Sequence, residues 1–317
     1  MVTIVIPCYN ASLYINKCVE SLTAQTFKNF KVIFVDDCST DGTYQHLREI
    51  QASSSLNITV LQNLVNSGPA ASRNNGILVA ESKYITFCDS DDWYDPEYLE
   101  TMVSLLENNE ADVAFCGHKV VDEHGNAQKR PVSNNNGLIA REEAFSLDAD
   151  SLCMLMVKTD IMKCTLLPNL RNGEDVATVP LLMANSSKYA VTNKCLYNYF
   201  RRQGSASETP TMKVVDSLLS SYQYIYNHFP KECYTELEFL GIKNVLYSAI
   251  ITLFSIQYDK NKASEIINSF EKAFPDWKNN PYIHKLRFYK NLIVKLVSLK
   301  FYLAIRLVAI LRTRFLK

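Results

Sequence analysis

Two phosphate-cradling signatures are missing from this chain. It has neither G-x-G-x-x-G nor G-x-x-x-x-G-K-[ST], so a dinucleotide site of the usual kind and a P-loop are excluded. Any nucleotide must be held another way. No C-x-x-C pair occurs among its nine cysteines. An odd count without paired spacing is not a disulfide framework, and the five histidines do not flank the cysteines at zinc-ligand spacing. Cys8, Cys38 and Cys88 lie in or beside apolar runs, where cysteine acts as a small hydrophobe. The opening residues Met1 to Pro7 lack a basic region followed by a long apolar one, so no signal peptide is expected. Together these features favour a reducing cytoplasm. From Tyr282 to Lys317 there is no proline, no glycine and no acid.

Charge is balanced overall, with 33 basic and 33 acidic residues. The balance hides an asymmetry. Residues 285–317 carry nine cations and no acid, so residues 1–284 carry nine net negative charges. Such a split implies an anionic partner for the tail.

The first 116 residues alternate apolar runs with helical patterns. Strands are expected at Thr3–Ile6, Lys31–Val35, Ile58–Leu61, Tyr84–Cys88 and Val113–Cys116. Helices are expected at Ser12–Ala24, Thr43–Gln51, Ala70–Ala80 and Glu97–Glu107. That alternation implies βαβ units and a mainly parallel sheet. Residues 117–137 read as a hairpin or loop. Beyond the Pro210 region four helices follow, the last starting at Tyr282. The expected domains are 1–210 and 211–317.

Polar residues gather after strands, at Cys8-Tyr9-Asn10, Asp36–Gly42 and Asp89–Asp92. Ligands of open α/β sheets bind at the carboxyl ends of strands, so the three clusters can share one crevice. In Phe87-Cys88-Asp89-Ser90-Asp91-Asp92, extended geometry would turn Asp89 and Asp91 to the same side. Two carboxylates there suit a divalent cation that completes its shell with water and substrate phosphates. The plainer alternative is a solvated turn, with Asp95 capping the following helix. Asp36 or Asp37 could accept hydrogen bonds from a base or a ribose hydroxyl, while Ser39 to Asp41 cap a helix. Gly68 could let backbone approach a ligand, and Arg73 could offer its planar donor fork. Glu174 or Asp175, after Asn172-Gly173, could be a general base or simply helix-terminal acids.

The ordered set Ile4-Val5-Ile6-Pro7-Cys8-Tyr9-Asn10, Val35-Asp36-Asp37-Cys38-Ser39-Thr40-Asp41, Ala71-Ser72-Arg73-Asn74 and Phe87–Asp92 resembles family 2 glycosyltransferases of the GT-A fold, over about residues 1–207. Gly173-Glu174-Asp175 fits the family's later acidic motif. The resemblance implies a Rossmann-like, mixed but mainly parallel sheet flanked by helices, with a C-terminal all-helical extension. It implies inverting transfer of a sugar from a nucleotide-sugar, most often a UDP-sugar, to an acceptor hydroxyl. Pro7, Tyr9, Asp37 and Arg73 would line the nucleoside pocket. Asp89 and Asp91 would form the Asp-x-Asp, with Asp91 the direct Mn²⁺ or Mg²⁺ ligand. Asp175 would be the base, with Glu174 competing for that role. Arg201 or Arg202 would lie near the diphosphate. Two positions depart from the family: Cys38 stands where glycine is common, and Thr178 where an aromatic residue is common.

Taken from Asn291 onward as one helix, the tail places Lys295, Lys300, Arg306, Arg314 and Lys317 within an arc of ~140°. No run in it approaches the ~18 uncharged apolar residues of a membrane span. The expectation is an enzyme peripheral on the inner face of the cell membrane, held by residues 285–317 on anionic lipid and acting on a glycan or lipid-linked acceptor of a surface polysaccharide or glycolipid. A nucleic-acid partner is not expected. Two other classes compete. A catalytically silent sugar-nucleotide scaffold would have no use for a base. A nucleotidyltransferase would carry a glycine-rich basic loop after the first strand, which Cys8-Tyr9-Asn10-Ala11 is not.

Overall fold

Valine- and isoleucine-rich runs buried on both faces pair most readily as parallel strands under helices, and the first half of the chain does this. The computed structural model describes residues 1–170, 172–201 and 210–315. Its strands are β1 (Val2–Cys8), β2 (Phe30–Asp36), β3 (Ile58–Gln62), β4 (Tyr84–Phe87), β5 (Trp93–Tyr94), β6 (Val113–Val121), β7 (Ala127–Arg130), β8 (Gly137–Ile139), β9 (Leu155–Lys158) and β10 (Tyr189–Phe200). Its helices are α1 (Ile15–Thr23), α2 (Thr43–Ser53), α3 (Pro69–Leu78), α4 (Tyr98–Asn108), α5 (Arg141–Ser146), α6 (Thr159–Lys163), α7 (Glu174–Ala184), α8 (Met212–His228), α9 (Tyr234–Gly241), α10 (Ile250–Ile256), α11 (Lys260–Ala273), α12 (Phe288–Ser298) and α13 (Tyr302–Phe315).

One sheet has the order β3-β2-β1-β4-β9-β6-β10-β5, with β7 paired to β6 and β8 to β10. β3, β2, β1 and β4 run parallel, so β1, β2 and β4 end on the same edge, where their polar loops meet. The parallel character ends there: β9 is antiparallel to both β4 and β6, and β10 returns parallel to β6. The mixed sheet flanked by helices, with a helical C-terminal region, is the GT-A architecture the resemblance implied. α3 lies close on β1, because a Cβ at Gly76 would stand 2.4 Å from Val5 Cγ1. Residues 117–137, expected as a hairpin or loop, contain the outer part of β6 and the hairpin to β7.

The chain divides into two compact units, Met1–Asn169 with Asn185–Gln203, and Leu170–Ala184 with Gly204–Lys317. The sequence reading placed one boundary at 210/211. By packing, the segment carrying Glu174 and Asp175 groups with the helices.

Within the helical unit, α9 runs through an eight-residue π-helical stretch, Ile242–Ala249, into α10. Phe239, Ile242, Leu246, Ile250, Leu253 and Phe254 are buried at its core. Lys231–Ile256 is the one stretch among the described residues long and apolar enough to cross a membrane, and 78% of its most apolar window is buried. The tail is not one helix. It breaks between α12 and α13, where Lys300 takes a left-handed φ of 55°, so the ~140° arc assumed for a continuous helix does not apply.

Candidate active site

The acids at the end of β4 do not alternate as an extended strand would. The Asp92 amide donates to the Asp89 carbonyl at 3.1 Å, closing a turn that leaves Asp89 and Asp91 partly exposed and buries Asp92. The Tyr197 hydroxyl donates to the Asp92 carboxylate. The Phe200 amide donates to its other oxygen at 2.7 Å, and the Asp89 amide donates to the Tyr197 oxygen at 3.3 Å. The turn is thus tied to β10. Burial pushes the Asp92 carboxyl well above the usual carboxylate range. The charges of Asp89 and Asp91 add to this, against the pull of the Phe200 and Tyr197 hydrogen bonds. Arg73, whose side chain is 5% exposed, holds Asp89 in an ion pair of 2.8 Å while Asp89 stays 38% exposed.

At the end of β2, Asp37 is committed to structure. Its Oδ1 accepts from Asn63 Nδ2 at 2.7 Å and the Ser67 amide at 2.9 Å. Its Oδ2 accepts from the Gly68 amide at 2.7 Å. The carboxylate that resemblance assigned to the nucleoside pocket therefore organises residues 63–68. Gly68, with φ of 86°, is where only glycine avoids strain. Asp36 is fully buried. Its Oδ2 accepts from the Ser39 amide and the Gln62 side chain, both at 3.2 Å. Its Oδ1 is buried without a hydrogen-bond partner.

Cys8, opposite Asp36 in the ladder, reports how closely these groups converge. Burial pushes its thiol well up, followed by Cys18 and then the charges of Asp36, Asp89 and Asp91. Tyr9 is 52% exposed and Pro7 half-buried at the same edge. Arg201 follows β10, its side chain exposed and its amide bonded to the Val121 carbonyl at 2.8 Å. Arg202 lies outside the described residues.

Two expected helix caps are replaced. Asp95 is not an N-cap; α4 starts after Glu97 without a side-chain cap. Asp95 Oδ1 accepts instead from Lys119 Nζ at 2.7 Å and Asn198 Nδ2 at 2.8 Å, joining β5, β6 and β10. α2 starts after Gly42. Asp41 braces that turn, accepting from the Thr43 amide at 3.0 Å and the Ser12 hydroxyl at 2.8 Å. Burial works against the Asp41 charge, but the Thr43 and Ser12 bonds outweigh it and hold the carboxyl at about 2. Cys38 takes a left-handed φ of 59°, the conformation for which the family's glycine is suited.

In the helical unit, Glu174 and Asp175 form the first turn of α7. Gly173 before them has φ of 83°, and a Cβ there would stand 2.4 Å from Ser221 Oγ. Ser217 and Ser221 of α8 donate to the Asn172 and Gly173 carbonyls, both at 2.9 Å. Thr178 is buried and donates to the Glu174 carbonyl at 2.7 Å. The acids are thus presented from a turn that α8 grips. Sequence reasoning missed Asp92, Tyr197 and Asn74. Asn74 clasps the backbone of Leu167 in both directions at 2.9 Å. For Asp92 and Tyr197 the available signal was one acid too many for an Asp-x-Asp and an aromatic residue in the late strand.

Residues 3–166 match the family model described as glycosyl transferase family 2. The chain is 28% identical over 235 residues to glycosyltransferase GlyA of Streptococcus pneumoniae, covering 69% of this chain and 33% of that one. It is 29% identical over 216 residues to the poly(ribitol-phosphate) beta-N-acetylglucosaminyltransferase TarS of Staphylococcus aureus, covering 64% and 36%. The chain thus spans about a third of the length of these two relatives. In fold it is similar to S. aureus TarS 1–349 in complex with UDP-GlcNAc, with a TM-score of 0.69 at 21% identity, covering 99% of this chain and 91% of that one. A mannosyltransferase of Pyrobaculum calidifontis, solved with GDP-Man and Mn²⁺, has a TM-score of 0.59 at 14% identity, covering 98% and 86%. With its motifs standing together on the edge of a GT-A sheet and the family model spanning more than half its length, the chain belongs to glycosyl transferase family 2.

Proposed function

We propose that the chain transfers a sugar from a UDP-sugar to a hydroxyl of a surface polysaccharide or lipid-linked glycan, with inversion and with a divalent metal. One observation carries the reading. Parallel strands β1, β2 and β4 bring two buried aspartates (Asp36, Asp37) and two partly exposed ones (Asp89, Asp91) to one edge. The UDP-GlcNAc complex of the fold relative TarS, a poly(ribitol-phosphate) beta-N-acetylglucosaminyltransferase, supports the donor and acceptor classes.

The residues fit a metal shared with substrate. Among the described residues no cluster of three or more His, Cys, Asp or Glu could enclose an ion. Asp91, with Asp89 beside it, supplies the one or two carboxylates that Mn²⁺ or Mg²⁺ takes when water and diphosphate complete the shell. When bound, the metal neutralises the departing diphosphate. Arg73 fixes Asp89, and Asp91, two residues on, is the direct metal ligand. Tyr9 and Pro7 offer apolar surface for the base at the same strand ends. Arg201, with Arg202, adds positive charge toward the diphosphate. Asp175 takes the proton from the acceptor hydroxyl as its oxygen attacks the anomeric carbon, with Glu174 next to it. One in-line attack inverts the centre, through a transition state of oxocarbenium character. All nine cysteines are free thiols, which supports work on the cytoplasmic face.

The test is a donor panel of UDP-Glc, UDP-Gal, UDP-GlcNAc, UDP-GalNAc, GDP-Man and dTDP-Rha with Mn²⁺ or Mg²⁺. Metal-dependent release of UDP from one donor is expected. No release and no thermal shift with any donor would contradict the reading. With the donor identified, Asp175→Asn should lower kcat by about 10²–10⁴-fold and leave UDP affinity unchanged.

A further inference from the structure

The two last helices are apolar on more than one side. The inner side of α13 is accounted for: Tyr302, Ile305 and Ala309 are buried, Arg306 bonds to the Phe254 carbonyl of α10, and the Tyr302 ring lies 6.1 Å from that of Phe254. On α12, Ile293, Val294 and Val297 are buried likewise. Yet Leu303, Leu307 and Leu311 stand one turn apart on α13, exposed by 69%, 63% and 52%. Phe301 precedes them, and Phe288 and Leu292 repeat the pattern on α12, all exposed. Single exposed leucines are ordinary, but a run at helical spacing on two neighbouring helices is not. A helix apolar nearly all round belongs in a core or against lipid.

The charges indicate what covers this face. Lys295, Lys300 and Arg312 are exposed on the same two helices and the turn joining them. There is no acid anywhere from residue 285 to 317. One cation is met from a neighbouring helix: Lys300 Nζ lies 3.3 Å from Glu271 of α11. The rest of the face is one-signed. Apolar stripes edged by lysine and arginine, on a segment without acids, match the interface of an anionic bilayer, where apolar side chains enter the acyl boundary and cations meet phosphate headgroups.

We propose that the exposed stripes of α12 and α13, with the cations at their edges, form a docking face for an anionic lipid surface. The proposal does not rest on the transfer reaction.

The experiment is co-sedimentation of the whole chain with vesicles, either of phosphatidylcholine alone or with a third phosphatidylglycerol. Binding to the anionic vesicles that weakens with salt is expected. Leu303→Asp with Leu307→Asp should lower it about tenfold or more, since a charge replaces inserted apolar surface. Lys295→Glu should lower binding to anionic vesicles alone. All three side chains are exposed, so melting temperatures should hold; if the aspartate variant fails to fold, Leu303→Ser with Leu307→Ser repeats the test. Failure to bind either vesicle would overturn the proposal. So would binding indifferent to the leucine changes, or a dimer in sedimentation velocity that those changes dissolve, which would assign the face to a second copy of the chain.

Discussion

The ends of β2 and β4 look alike on paper, each an apolar strand running into paired aspartates, and they use those acids in opposite proportions. At β2 the acids are turned inward. Asp37 spends both oxygens on the loop 63–68 and Asp41 braces the start of α2, while Asp36 is buried with one oxygen unpartnered. At β4 the ratio reverses: Asp92 alone is turned inward, tied to β10 through Tyr197 and Phe200, and Asp89 and Asp91 face outward. A run of acids is thus a mixture of scaffold and chemistry. Asp37 and Asp92 are held by backbone amides, and burial suits a carboxylate so held; Asp89 is held instead by the Arg73 guanidinium and stays 38% exposed.

Substitutions can break that comparison. The largest effect is expected at Asp91. Asp91→Ala should lower turnover by about 10³-fold, the scale of several kcal/mol of lost diphosphate stabilisation. Denaturant midpoint should stay within error, because Asp91 is partly exposed. Asp37→Ala should do the reverse, costing about 3 kcal/mol of stability in urea titration by stranding Asn63, Ser67 and Gly68 donors. An Asp37→Ala protein of full stability and no activity would invert the assignment.

A smaller effect separates the two ends by pH. Asp41 is held at about 2, below the ordinary value near 3.8. A depressed folded pKa contributes stability that is present above the unfolded pKa and lost as pH falls from about 4 toward 2. Because the group is largely exposed, that contribution is about 1 kcal/mol or less. Asp41→Asn should therefore melt lower than the parent near neutrality, the gap closing toward pH 2. The smallest effect is at Cys38. Glycine relieves a left-handed φ but loosens the unfolded chain, so Cys38→Gly should shift stability by no more than about 0.5 kcal/mol.

Much of the sheet was legible from residues, because strands buried on both faces leave nearly continuous apolar runs. β1, β2, β3 and α3 fall within three residues of their expected bounds. What was hidden depended on long-range partners. Asp95 has the pattern of a cap, but Lys119 and Asn198, far along the chain, compete for it. The turn at Asp89–Asp92 could not be told from an extended end, because Tyr197 and Phe200, about a hundred residues on, stabilise it. The break at Lys300 has no glycine or proline to announce it; a lysine adopts φ of 55° while its ammonium meets Asn268 at 2.9 Å.

The central claim is that the outward acids at β4, not the inward ones at β2, join metal to nucleotide. Calorimetric titration of UDP into the parent protein and Asp91→Ala, each with and without Mn²⁺, tests it most directly. The expected result is UDP binding that Mn²⁺ strengthens in the parent, and that Asp91→Ala retains only at the metal-free level. Equal strengthening by Mn²⁺ in both proteins would contradict it.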